Sequence, residues 1–222
     1  MIAALRAELV KLRRRRVLIV TAVTTLVFSV GSAAIVVASA ERSGNPRGRE
    51  VTFASLADAG GGTEVFTTAV SFAGTFLFVV FVGAVAVEFS RGTFRTMLLH
   101  EPRRLRLLAG KMAGLLLFAA VVLAAAEALT WLAARLLAPS RDIATGDWTS
   151  PAALADALTD YGSILLWICG YALLGMTVAV LVHSVPLALG IGIAWAGPVE
   201  HIIQNASDTA TRFFPGLLLE TF

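Results

Sequence analysis

The side chains able to do chemistry are few and scattered. His100, His183 and His201 fall in three different regions with no H-E-x-x-H pair, and the single cysteine, Cys169, sits inside an apolar run. Neither a metal site nor an intrachain disulfide is expected. Gly110-Lys111-Met112 lacks both the upstream glycine and the hydroxyl residue of a phosphate-binding loop, so the chain is not expected to hydrolyse ATP or to bind a cofactor of its own. No paired carboxylates and no Ser-His set lie in the apolar runs, which argues against an intramembrane enzyme. One carboxylate does interrupt such a run. Glu127 would cost about 2.5 to 3.5 kcal/mol if ionised at the centre of a bilayer. Two readings fit it: a part of a translocation path, or a group close enough to the outer end to reach interfacial water or a partner helix.

The most informative stretch is EFSRGTFRTMLLHEPRRLRLLAGK, residues 88–111. Glu88 closes an apolar run. Arg91, Gly92 and Thr93 can turn the chain, with Thr93 as N-cap of a short helix that carries Phe94, Met97 and Leu98 on one side. Pro102 stops that helix, and a second basic helix from Arg103 to Lys111 leads into the next apolar run. The product is a short helix that offers apolar side chains ringed by arginines, a shape suited to docking. The charges alone would also satisfy the positive-inside rule; the ordered pattern of Glu, Arg-Gly-Thr, Arg, Pro, Arg and Lys is not explained by charge.

Composition dictates what must position this segment. Of 222 residues, 57% are hydrophobic and 15% charged, against about 25% charged in a soluble domain, so the excess apolar surface must face lipid. A span needs about 20 apolar residues, and the chain reads as an all-α, polytopic transmembrane helical bundle in a single transmembrane domain. Five spans are visible, at about 17–40, 65–87, 112–134, 161–182 and 185–203, the last short for a lone crossing. A signal peptide is the competing reading of the first run, but its apolar stretch exceeds the about 7 to 15 residues of a secretory signal. Residues 1–16 place Ile2, Leu5, Leu9 and Leu12 on one helical face, as an interfacial helix or a basic flank of the first span. Residues 41–64 and 135–160 read as loops, the second with a short helix from Pro151 to Leu158. Small residues such as Gly74, Gly83, Gly170 and Gly175 permit close helix approach.

Lysine and arginine placement sets orientation. Six precede the first span, six lie between spans two and three, and three lie between spans one and two. Both clusters of six belong on the cytoplasmic side, which puts the N-terminus and residues 88–111 inside the cell and the 41–64 and 135–160 loops outside. Membrane lipid is an expected partner and nucleic acid is not.

The central segment resembles the ABC-2 family of ATP-binding-cassette transporter permeases, whose second and third spans are joined by E-[FY]-x-x-G-T-x-R-x-x-L, then P-x-x-R, then a lysine. The matching positions are Glu88, Phe89, Gly92, Thr93, Arg95, Leu98, Pro102 and Lys111, with Arg106 near the second arginine position. The resemblance implies a permease subunit of an exporter in the cell membrane, with residues 92–101 as a coupling helix seated in a separate ATP-binding subunit. ATP and magnesium would be bound by that subunit, and a second permease copy, identical or not, would complete the path. It implies that the basic N-terminus is an elbow helix, and that partner contact falls to Glu88, Arg91, Gly92, Thr93, Phe94, Arg95, Met97, Leu98, Pro102, Arg106 and Lys111. Members of the family have six spans, whereas this chain stops near the fifth, through truncation or a different fold of its tail.

Two other classes fit a polytopic chain. A gradient-driven secondary transporter or channel would call for several intramembrane charges or paired broken helices, where this sequence has Glu127 and no repeat. A non-transporting membrane anchor or sensor subunit has no sequence signature to set against it.

Overall fold

A computed structural model describes residues 2–41, 51–90, 92, 103–182 and 184–194. Among them the chain is all helical, with one isolated bridge, Glu41 to Thr52, and no sheet. The helices are α1 (Ile2–Leu12), α2 (Arg15–Ser39), α3 (Phe53–Ala57), α4 (Gly61–Ser90), α5 (Arg104–Leu137), α6 (Pro151–Val182) and α7 (Val185–Ala194). Single 3-10 turns occupy Ala138–Arg141 and Gly146–Thr149.

Three of these helical stretches are long and apolar enough to cross a membrane: Arg15–Ser39, Leu105–Arg141 and Pro151–Val182. Many of their large apolar side chains are exposed rather than packed. Val20, Val23 and Val27 of α2, Leu117, Val121 and Leu136 of α5, and Leu166, Leu173 and Leu181 of α6 are all exposed, an arrangement that water would penalise and hydrocarbon would not. The protein is a membrane protein. The second predicted span lies within α4, a helix of 30 residues. The fifth is described only as α7, and its predicted continuation to 203 lies outside the described residues.

Two boundaries differ from those the sequence pattern suggests. Residues 151–158 are not a separate short helix but the first turns of α6, which runs unbroken to Val182. Ser150 starts it, since its hydroxyl accepts from the Ala153 amide at 3.1 Å and Pro151 follows at the first helical position. Residues 104–111 are likewise the opening turns of α5 rather than a helix of their own. Gly110 does not break it, because one glycine costs only about 1 kcal/mol against the many helical bonds around it.

The chain folds as two compact units. The unit comprising Arg14–Phe72 and Ala120–Ile164 is held by a core of Ala33, Val36, Val37, Leu56, Val65, Ala133, Ala134, Ile143 and Trp148. Its polar contacts tie loops to helix ends. The Trp148 indole donates to the Leu56 carbonyl at 2.7 Å, and Arg141 donates to the carbonyls of Ala38 and Ala40 at 2.7 and 3.3 Å, capping the C-terminus of α2 with a cation. Thr52 and Ser55 form a reciprocal capping box that starts α3. Gly62 admits the Trp131 ring so closely that a Cβ there would lie 2.5 Å from it.

The other unit takes in Met1–Arg13, Ala73–Ala119 and the segment from Leu165 onward. Its buried residues include Phe81, Val82, Val85, Leu107, Met112, Leu115 and Ile168, and Trp167 meets Tyr171 edge to face at 4.9 Å.

Candidate functional site

Within this second unit, α1 packs against α5 at Gly114. A Cβ on Gly114 would stand 2.9 Å from the Glu8 Cβ and 3.4 Å from the Leu5 carbonyl oxygen, so the absence of a side chain is what lets the two helices close. The most buried side chain of α1 is not one of its leucines. Glu8 is buried, while Ile2 is exposed and Leu5, Leu9 and Leu12 are only half-buried.

Glu8 is buried because it has partners. Lys111, 2% exposed, donates to Glu8 Oε2 at 2.9 Å and approaches Glu88 Oε1 at 2.6 Å. Lys11 donates to the same Glu8 oxygen at 3.0 Å and to Glu88 Oε1. Among the described residues, two carboxylates and two ammonium groups thus alternate around a ring, with each lysine bridging both glutamates. Burying a lone ion costs several kcal/mol, whereas a balanced set with good hydrogen bonds largely offsets that penalty. Burial pulls the Lys11 pKa down, and its bonds to Glu88 and Glu8 more than reverse this, leaving it above 10.5.

The quartet has a definite place in the chain. Glu88 lies two residues before Ser90, the last of α4, and Lys111 lies two turns into α5, so the two residues bracket the segment expected to dock a partner. The structure brings these two together and adds Glu8 and Lys11. The remaining expected contact residues are distributed differently. Gly92 takes a left-handed backbone with φ of 70°, a conformation that glycine adopts without steric cost, as the predicted turn requires. Arg106 is exposed near the start of α5. Arg91, Thr93, Phe94, Arg95, Met97, Leu98 and Pro102 lie outside the described residues, as do His100, His183 and His201. Among the described residues no group of three or more His, Cys, Asp or Glu side chains could hold a metal ion.

Glu8 is not among the expected site residues, although the sequence carries a signal for it. It lies three residues after Leu5 and four before Leu12, and therefore on the apolar stripe of α1, where a solvated carboxylate does not belong. Glu127, in the other unit, is half-buried on α5, and its Oε1 is buried without a hydrogen-bond partner among the described residues. Thr130, one turn further on, is fully buried with its hydroxyl also unpartnered among them.

Comparison with known proteins supplies one family. The model of the ABC-2 family transporter protein matches residues 4–195. No curated protein and no solved structure matches the chain. The matched range takes in all but the first residues of α1, the charge quartet, the central segment and every later described helix, and the chain belongs to the ABC-2 family of transporter membrane proteins, permeases that lack an ATPase domain and work with an ATP-binding partner.

Proposed function

We propose that this chain is the permease subunit of an ABC-2 exporter, and that residues 92–101 dock it to a separate ATP-binding subunit. The observation that carries the reading is the clasp at the base of that segment. Glu88 and Lys111, the two motif residues that flank it, share a salt bridge of 2.6 Å, so a force applied between them reaches α4 and α5 together. Apolar anchors at Phe94 and Leu98 would carry the contact, and Arg91 and Arg95 at its rim would set register and specificity. Two such permeases, five or six spans each and with α1 as a cytoplasmic elbow helix, would enclose the path. ATP and magnesium would be bound by the partner subunits. Glu127 is a candidate for a polar group on the path, because it is a carboxylate within an apolar helix and its buried oxygen has no partner among the described residues.

The test is co-purification of the full chain with an ATP-binding-cassette subunit from its native membrane. Phe94→Asp with Leu98→Asp should release that subunit while leaving the permease in the membrane. Undiminished association would overturn the assignment.

A further inference from the structure

We propose that Glu8 is a positioning residue for the central segment: one carboxylate on α1 sets both the end of α4 and the beginning of α5. The role of the segment rests on the reading of residues 92–101 as the docking site, whereas the mechanical claim rests on the quartet alone.

Three observations carry the claim. Glu8 Oε2 is shared between Lys111 and Lys11 at 2.9 and 3.0 Å, and both lysines also hold Glu88. Loss of the Glu8 charge therefore leaves two ammonium groups facing one carboxylate, with Lys111 buried at 2% exposure. Lys111 keeps Glu88 at 2.6 Å but must share it with Lys11, and the uncompensated positive charge is relieved by drawing in water or by turning a lysine toward the surface. Finally, α1 is seated on α5 three residues beyond Lys111, at Gly114. Its grip therefore falls between the opening turn of α5, where the Leu107 amide donates to the Arg103 carbonyl, and the part of the helix that continues to Leu137. The amphipathic helix is thus not simply an anchor lying on lipid. It is fastened by buried charge to the two helix ends that frame the docking segment, and it moves with them.

Hydrogen exchange on the full chain in phospholipid nanodiscs tests this without a partner subunit. Glu8→Gln should speed exchange at the amides of residues 107–110 and 85–88 by about tenfold or more, the loss expected from breaking a buried pair. Residues 133 and 134, in the other unit, should be unchanged. The conservative variant then separates charge from shape. Glu8→Asp keeps the carboxylate and should hold exchange at 107–110 closer to the parent chain than the isosteric Glu8→Gln does, by about threefold or more. The proposal is overturned if Glu8→Gln leaves 107–110 unchanged, if it speeds 133 and 134 equally, or if Glu8→Asp exchanges as fast as Glu8→Gln. Retention of the ATP-binding subunit by the Phe94→Asp, Leu98→Asp chain would defeat the docking reading and leave these exchange results standing.

Discussion

Lys111 Nζ and Glu8 Oε2 meet at 2.9 Å across 103 residues of sequence, in a site almost closed to water. The pair joins α1 to α5. Glu8→Gln removes one of two buried negative charges and should destabilise the detergent-solubilised protein by about 3 to 5 kcal/mol. Lys11→Met should cost clearly less, because the Lys11 side chain is 36% exposed and water can replace its bonds. Denaturant titration followed by tryptophan fluorescence measures the order, and an equal effect of both changes would contradict it.

The packing at Gly114 predicts a coupled pair of defects. Gly114→Val places a Cβ 2.9 Å from that of Glu8 and must push α1 away. Because that movement itself breaks the bond from Lys111 to Glu8, the double variant with Glu8→Gln should be destabilised by less than the sum of the two single changes, by about 1 kcal/mol or more. Strict additivity would show that the two sites act separately.

The pH response follows from Lys11. Its pKa in the folded chain is raised above 10.5 by Glu88 and Glu8. A raised lysine pKa contributes stability that is fully present below the unfolded value and is lost as pH rises through the folded value. The Lys11 contribution to the seating of α1 is therefore fully present at neutral pH and should be lost only in the alkaline range above about 10.5. Exchange rates of α1 amides, corrected for intrinsic base catalysis, provide the check; loosening near pH 8 would contradict the assignment.

In the other unit, Trp148→Phe deletes the bond from the indole to the Leu56 carbonyl while keeping most of the ring. A loss of about 1 to 3 kcal/mol is expected, since a buried carbonyl is left with one partner fewer. Gly62→Ala should cost a similar amount by overpacking against Trp131. Thermal melts distinguish these outcomes from a neutral surface change.

Glu127→Gln should impair export while leaving membrane insertion unchanged, if the carboxylate and not merely its shape serves the path. Unimpaired export by a correctly inserted variant would remove Glu127 from the path.

The apolar runs make the long helices legible, because their interiors are defined by the absence of charge. Their ends are less so. Asp156 and Asp160 give the start of α6 the look of a loop, but both lie on a helix capped by Ser150, and Asp156 is exposed. Glu88 and Lys111 can be singled out from a motif, yet nothing in the motif says that they face each other. Glu8 stands on the apolar stripe of α1, which sets it apart from ordinary surface, but the partners of Glu8 and Lys11 lie far away in sequence and nothing local names them. Only the close approach at Gly114 turns that pair inward.

Docking through residues 92–101 is the central claim, and ATP hydrolysis carried by the purified protein tests it most directly. The tagged chain, taken from its native membrane with the ATP-binding subunit that co-purifies with it, should carry vanadate-sensitive, magnesium-dependent hydrolysis, and Phe94→Asp with Leu98→Asp should remove it. Hydrolysis that co-purifies undiminished with the doubly substituted chain would contradict docking through this segment.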